Sequence, residues 1–195
     1  MTTLLPNTFV TTITTTIFIL LFSSQVKSQP KTGQFINASI GLGINATTDE
    51  SDLNGNGFYL QGEYVLALSK WFGIRPYAGL ILASSDDDDN SFQNQRGYKI
   101  RSNAFLLGAK TRILAPIPWV APYFEIGVGL SAGTFKTFTP FTDKEDSGVL
   151  VHIPFTLGLM IGRENNFDFA FSYYFHPTVE QFSGAVAIGY SFPLN

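Results

Sequence analysis

Residues 167–175 read Phe-Asp-Phe-Ala-Phe-Ser-Tyr-Tyr-Phe, and their spacing decides the fold class. Large side chains stand at Phe167, Phe169, Phe171, Tyr173 and Phe175, with Asp168, Ala170, Ser172 and Tyr174 between them. Successive side chains of an extended strand point to opposite faces, so this segment has one continuous greasy face and one small or polar face. A helix would scatter both sets around its circumference. The polar run Arg163–Asn166 precedes it as a tight turn. Before that turn, Val149–Ile161 sets Val151, Ile153, Phe155, Leu157, Leu159 and Ile161 against His152, Thr156 and Gly158.

The same period-two pattern recurs along the chain. Phe182–Phe192 sets Val186, Ile188, Tyr190 and Phe192 against Ser183, Ala185, Ala187, Gly189 and Ser191. Phe35–Ile44 alternates Ile36, Ala38, Ile40, Leu42 and Ile44 with Asn37, Ser39, Gly41 and Gly43. Phe58–Leu68 places Tyr59, Gln61 and Glu63 opposite an apolar row, Phe72–Ala83 does so with Gly73, Arg75, Tyr77 and Gly79, and Val120–Thr134 with Tyr123, Glu125, Gly127, Gly129 and Ser131. Tyr98–Ile113 completes the set, but its alternation slips near Phe105–Leu107, which predicts a bulge or register change. The total is about eight strands, the number in the smallest outer-membrane barrels.

The composition of the two faces separates a lipid-facing barrel from a soluble one. A soluble barrel fills its interior with its apolar face and turns the polar face to water. Here the apolar face is large throughout, while the other mixes Gly, Ala and Ser with Glu63, Arg75, Arg101, Glu125 and Asp168. A narrow interior suits the second set; a lipocalin-like or sandwich protein would need the reverse. In lipid every backbone group must be paired within the protein, which closure of the sheet achieves.

Connections agree with this reading. Ser69–Lys70, Ala115–Pro118 and Arg163–Asn166 are short, whereas Asn45–Gly57, Ser84–Gly97 and Lys136–Ser147 are long and polar. The two kinds alternate, as periplasmic turns and outer loops do, and an even strand count then puts both termini in the periplasm. Trp71, Phe72, Trp119 and Phe167 near the short turns, and Tyr98, Phe58, Phe135 and Phe175 near the long loops, form two expected interfacial girdles. The outer loops hold Asp49, Glu50, Asp52, Asp86 to Asp89, Asp143, Glu145, Asp146 and Glu180, while Lys70, Lys110, Arg112 and Arg163 lie near the short turns.

The chain has 195 residues, of which 45% are hydrophobic, 15% aromatic and 14% charged, a length for one domain. It has no cysteine, which excludes disulfides, zinc–thiolate sites and thiol nucleophiles. A formal charge of −3 gives nucleic acid no electrostatic reason to bind. Ile13 to Phe22 contain an apolar core too short to span a bilayer as a helical anchor, and Val26-Lys27-Ser28 follows it as a cleavage signal. Residues 1–28 are therefore expected to be a secretory signal peptide, although no Lys or Arg precedes its core, and residues 29–195 the barrel domain. Removing 1–28 takes away one Lys and no acid and leaves a charge of −4.

The run Glu63-Tyr64-Val65-Leu66-Ala67-Leu68-Ser69-Lys70-Trp71-Phe72-Gly73-Ile74-Arg75-Pro76-Tyr77-Ala78-Gly79-Leu80 resembles the second hairpin of the small OmpA/OmpX/OmpW-type outer-membrane β-barrel domain group, a porin family common in Bacteroidetes. Asn103 to Lys110 and Pro122 to Gly129 are similar to its central strands. The final strand, with Tyr190 and Phe192, resembles the aromatic terminal signal read by the barrel-assembly machinery, though Pro193-Leu194-Asn195 follow it. The resemblance covers nearly the whole chain beyond residue 28 and specifies fold far more than activity.

Five charged residues, Glu63, Arg75, Lys110, Glu125 and Asp168, share the inward face in the half near the short turns. They read either as a gate that admits or blocks ions, or as a satisfied network filling a closed lumen. The interior of a barrel of about eight strands is just wide enough for side chains to fill, which favours the second reading. Asp86 to Asp89 offer oxygens to a divalent cation but lack the spaced ligands and glycine of a calcium loop, and read as a solvated acidic loop. His176, Glu180 and Ser183 lie close together near the last outer loop. A lipid-A acyl hydrolase or acyltransferase would use such a His–Ser pair with Glu as its orienter, yet the histidine–serine motif of those barrel enzymes is not reproduced. His152 stands alone as a lumen filler. Gly41–Gly43 and Gly127–Gly129 fall within strands, where close packing accounts for them.

The expectation is thus a signal peptide followed by an all-β, closed up-and-down antiparallel transmembrane β-barrel in the outer membrane of a Gram-negative bacterium. Its expected role is non-enzymatic, structural or surface-interacting, with no catalytic, cofactor or metal site. The alternatives are a narrow pore for small, even hydrophobic, solutes and a lipid-A-modifying enzyme. Expected partners are outer-membrane lipid and lipopolysaccharide, with the barrel-assembly machinery during insertion, for a monomer that does not bind nucleic acid.

Overall fold

The computed structural model describes residues 31–47, 54–84, 99–138, 143–177 and 181–194. The expected signal peptide, Asp86 to Asp89, Tyr98 and Glu180 lie outside them. Eight strands follow one another: β1 (Gly33–Thr47), β2 (Asn54–Ala67), β3 (Phe72–Ser84), β4 (Lys99–Leu114), β5 (Trp119–Phe138), β6 (Asp143–Gly162), β7 (Phe167–His176) and β8 (Gln181–Pro193). Each pairs antiparallel with its sequence neighbours, and β1 pairs with β8 from Phe35↔Pro193 to Thr47↔Gln181, closing the barrel. Closure leaves no sheet edge, so the backbone ladders are satisfied within the sheet.

The structure corrects several expectations. There is no bulge at Phe105–Leu107: β4 pairs residue for residue with β3 from Phe72↔Ile113 to Ser84↔Arg101, and with β5 from Lys99↔Phe138 to Leu114↔Tyr123. The pattern slips only because Leu106 is apolar and faces inward, fully buried between half-exposed Phe105 and Leu107. Lys136–Ser147 is not a long loop, since β5 and β6 are 20 residues each and leave only residues 139–142 between them. Arg101 is exposed, because the inward row of β4 runs through Ser102, Ala104, Leu106, Lys110 and Arg112. Phe135 belongs to no girdle; it points into the lumen at 1% exposure.

The outer surface is apolar around the barrel. Leu42, Ile188, Leu157 and Val128 are exposed by 60–69%. Soluble monomers rarely expose a continuous apolar patch beyond about 300–600 Å², so this belt has the character of a lipid-facing surface. The shortest strand, β7, has 10 residues, and about 9–11 tilted residues cross a bilayer core. Exposed Trp71, Trp119 and Phe167 gather at the short-turn end, where Phe167 and Phe192 each meet Tyr190 edge-on at 5.0 and 4.8 Å between ring centres.

Ile188 sits mid-strand on this belt. Ile188→Arg should lower stability by about 2–4 kcal/mol in reversible unfolding from lipid vesicles; an unchanged midpoint would mean that this face does not meet lipid.

Candidate functional site in the barrel lumen

Inward positions of five strands converge in the half of the lumen nearest the short turns. Arg75 on β3 donates from Nε to Glu63 Oε2 on β2 at 2.5 Å, and lies 3.6 Å from Glu125 Oε1 on β5. Lys110 Nζ on β4 bridges Glu63 Oε1 and Glu125 Oε2, at 2.7 Å each. Two residues further on, Arg112 donates from Nε to Glu125 Oε1 at 2.6 Å and from Nη1 to Asp168 Oδ2 on β7 at 2.9 Å. Tyr123 donates to the other Asp168 oxygen, and the Arg112 guanidinium carbon lies 3.4 Å from the centre of the Tyr123 ring. Three cations thus face three carboxylates, all buried, and their formal charges cancel.

The structure brings together the five charges singled out in the sequence and adds Arg112, which had read only as a turn-proximal cation. The signal for it was present: Arg112 is two residues from Lys110 on a strand and so shares its face. Glycine makes the room. Tyr123 pairs with Gly158 across β5 and β6, and a Cβ at Gly158 would strike the Tyr123 ring.

The other half of the lumen is filled by aromatic, histidine and apolar side chains. Tyr59 and Tyr174 share a hydrogen bond between hydroxyls at 2.8 Å, Tyr174 donates to Gln61 Oε1 at 2.8 Å, and Gln61 Nε2 donates to Glu63 Oε1 at 2.7 Å, joining this layer to the charges. His152 does not stand alone. Its Nε2 lies 2.5 Å from the Tyr77 hydroxyl and its Nδ1 2.7 Å from Ser131 Oγ, which in turn lies 2.8 Å from His176 Nε2. Ile81, Ala104, Leu106 and Phe135 pack around these groups. A Cβ at Gly129 would collide with both the Tyr77 hydroxyl and His152 Nε2, so this strand must pass as glycine. A void of about 10 Å³ remains between Asn37, Gln61, Lys110 and Asp168, room for about one water.

The His176–Glu180–Ser183 constellation is not assembled as an outer-leaflet site. His176 is buried in the lumen with Ser131, Ser183 donates instead to Ser102 Oγ at 2.9 Å, and Glu180 lies outside the described residues. A serine–histidine contact therefore exists, at Ser131, but it is sealed from both lipid and water at 0% exposure.

No protein-family model and no curated protein matches this chain. Solved structures do. Neisserial surface protein A superposes with a TM-score of 0.55 at 12% identity, covering 84% of this chain and 98% of that one. The fold is that of a small outer-membrane barrel. The N-terminal barrel domain of Pseudomonas aeruginosa OprF aligns at 10% identity over 83% of this chain and 98% of its own, TM-score 0.49. Ail, the attachment invasion locus protein of Yersinia pestis, aligns at 14% identity over 83% and 99%, TM-score 0.48.

Glu125 is the carboxylate shared by all three cations. Glu125→Ala should cost about 3–5 kcal/mol, because it leaves buried positive charge uncompensated. Glu164→Gln, at an exposed ion pair, should leave the unfolding midpoint where it was. Equal midpoints for both variants would show that the lumen charges are hydrated rather than mutually paired.

Proposed function

We propose that this protein is a sealed, non-enzymatic outer-membrane barrel of a Gram-negative bacterium, with a structural or surface-interaction role carried by its outer loops. The observation behind this reading is the filling of the lumen along its length. One half holds a charge-balanced network of six buried side chains, and the other holds Tyr59, Tyr77, His152 and Tyr174 with an apolar packing of Leu106 and Phe135. An ion crossing it would have to displace buried, mutually paired charges.

In this reading residues 1–28 are the secretory signal, both termini lie in the periplasm, and the barrel-assembly machinery reads the aromatic last strand. The apolar belt contacts lipid and lipopolysaccharide, and the chain is a monomer of the OmpA/OmpX/OmpW-type group. The likeness to Neisserial surface protein A supports the architecture; the role rests on the closed lumen.

Purified protein reconstituted in planar bilayers should show no steady conductance. Reproducible unitary steps would replace this reading with that of a narrow pore, in which the charge network is a gate. Envelope fractionation with boiled and unboiled gel samples checks the compartment: a mobility shift with outer-membrane recovery is expected, and a soluble periplasmic protein would refute it.

A further inference from the structure

The short-turn end of the barrel carries a second feature, at the mouth of the lumen. The turn joining β6 to β7 folds over the mouth of the lumen. Gly162 (φ +104°) and Asn165 (φ +52°) supply the left-handed backbone that this tight turn requires. The turn is held by Asn165 N–H to Gly162 O at 3.1 Å and by Ser191 N–H to Asn166 O at 2.8 Å. At its rim Lys31 Nζ meets Glu164 Oε1 at 3.1 Å. Hydrogen bonds from Lys31 and Asn166 hold the Glu164 carboxyl below the usual carboxylate range.

Beneath the turn lies a void of about 40 Å³, room for about three water-sized groups. Its walls are apolar, from Val65, Leu114 and Met160 among others. Two of its polar side chains are unusual in holding unspent groups. Asn165 is 1% exposed, and both its amide oxygen and its amide nitrogen lack a hydrogen-bond partner; Arg75, equally buried, leaves Nη2 without one. Both residues line this void, together with Lys31, which pairs with Glu164 at the rim, and Arg112, which pairs with Glu125 and Asp168 in the lumen. Buried polar atoms are as a rule paired, and each one left unpaired costs about 1–3 kcal/mol, more when charged.

We propose that this mouth is a binding site for an amido-carboxylate, the chemical end shared by an N-acylated amino acid and a peptide C-terminus. The free groups specify the ligand. Arg75 Nη2 and Asn165 Nδ2 are both donors, one of them on a guanidinium, and together they suit an anionic acceptor. Asn165 Oδ1 is an acceptor and calls for an N–H close to that anion. A carboxylate fills the enclosed part of the void, its adjacent amide N–H reaches Asn165, and the small side chain between them meets the apolar wall. The remainder of the ligand leaves through the open side. The site lies at the mouth of the lumen and shares Arg75 and Arg112 with the charge network, using the Arg75 nitrogen that the network leaves unpaired.

The test is an NMR titration of the isotope-labelled full chain in lipid nanodiscs, following the Asn165 side-chain NH₂ and Arg75 Nε–H resonances. N-acetylalanine should move both saturably, with a Kd on the order of 1 mM. N-acetylalanine methylamide, which lacks the carboxylate, and acetate, which lacks the amide, should each bind about tenfold more weakly. Asn165→Gly suits the positive φ and keeps the fold, as its gel-mobility shift will report, yet should lose affinity for N-acetylalanine by about the same factor. Acetyl-trialanine binding as tightly as N-acetylalanine assigns the site to peptide C-termini, and its exclusion assigns it to free acylated amino acids. The proposal is overturned if no ligand moves these resonances, since water alone then satisfies them. It is equally overturned if the methylamide or acetate binds as well as N-acetylalanine, or if Asn165→Gly binds unchanged.

Discussion

The pairing of β1 with β8 is the contact on which everything else rests. Without it the sheet has two open edges, and in lipid a free edge leaves its N–H and C=O groups with no partner at several kcal/mol each. The closure is close-fitting: a Cβ on Gly41 would run into the Val186 carbonyl and the Ala187 backbone, so β1 must pass that point as glycine. Once the sheet is closed, alternation becomes an assignment of environments: one face belongs to lipid and the other to a lumen of fixed, small cross-section.

That cross-section governs the chemistry inside. It admits few large side chains at any level, and they are matched to glycines on neighbouring strands, as Tyr123 is to Gly158 and His152 to Gly129. The charges obey a second constraint, neutrality: Arg75, Lys110 and Arg112 are balanced by Glu63, Glu125 and Asp168. An apolar filling of the same shape could be as stable. The network's consequence is therefore not extra stability but mutual dependence, since each member removed strands a charge. At the short-turn mouth an arginine nitrogen and a whole side-chain amide are left unpaired under a tight turn.

Much of this was legible from periodicity. All eight strands were readable, and so was the inward orientation of Glu63, Arg75, Lys110, Glu125 and Asp168. The misreadings have a common origin. Arg101 and Phe135 were assigned by type and by nearness to a loop, and parity along their strands overrode both. The apparent slip at Phe105–Leu107 arose because polarity was taken as the mark of an inward position, whereas the lumen's aromatic half accepts Leu106 as readily as serine. The length of the β5–β6 hairpin was hidden by acidic residues that look like loop but lie on strand beyond the apolar belt.

The sequence by itself determined the strand count and the face of nearly every residue, because the side-chain period of a strand is two and neither the barrel nor its register alters it. Only the tertiary structure decided which inward residues meet. Tyr77 and His152 are 75 positions apart, and Ser131 and His176 are 45 apart. Their heights in the lumen depend on the stagger accumulated from strand to strand around the closed sheet, a global quantity that no local stretch of sequence encodes. The same holds for Asn165, whose place over Arg75 follows from closure and not from the turn in which it sits.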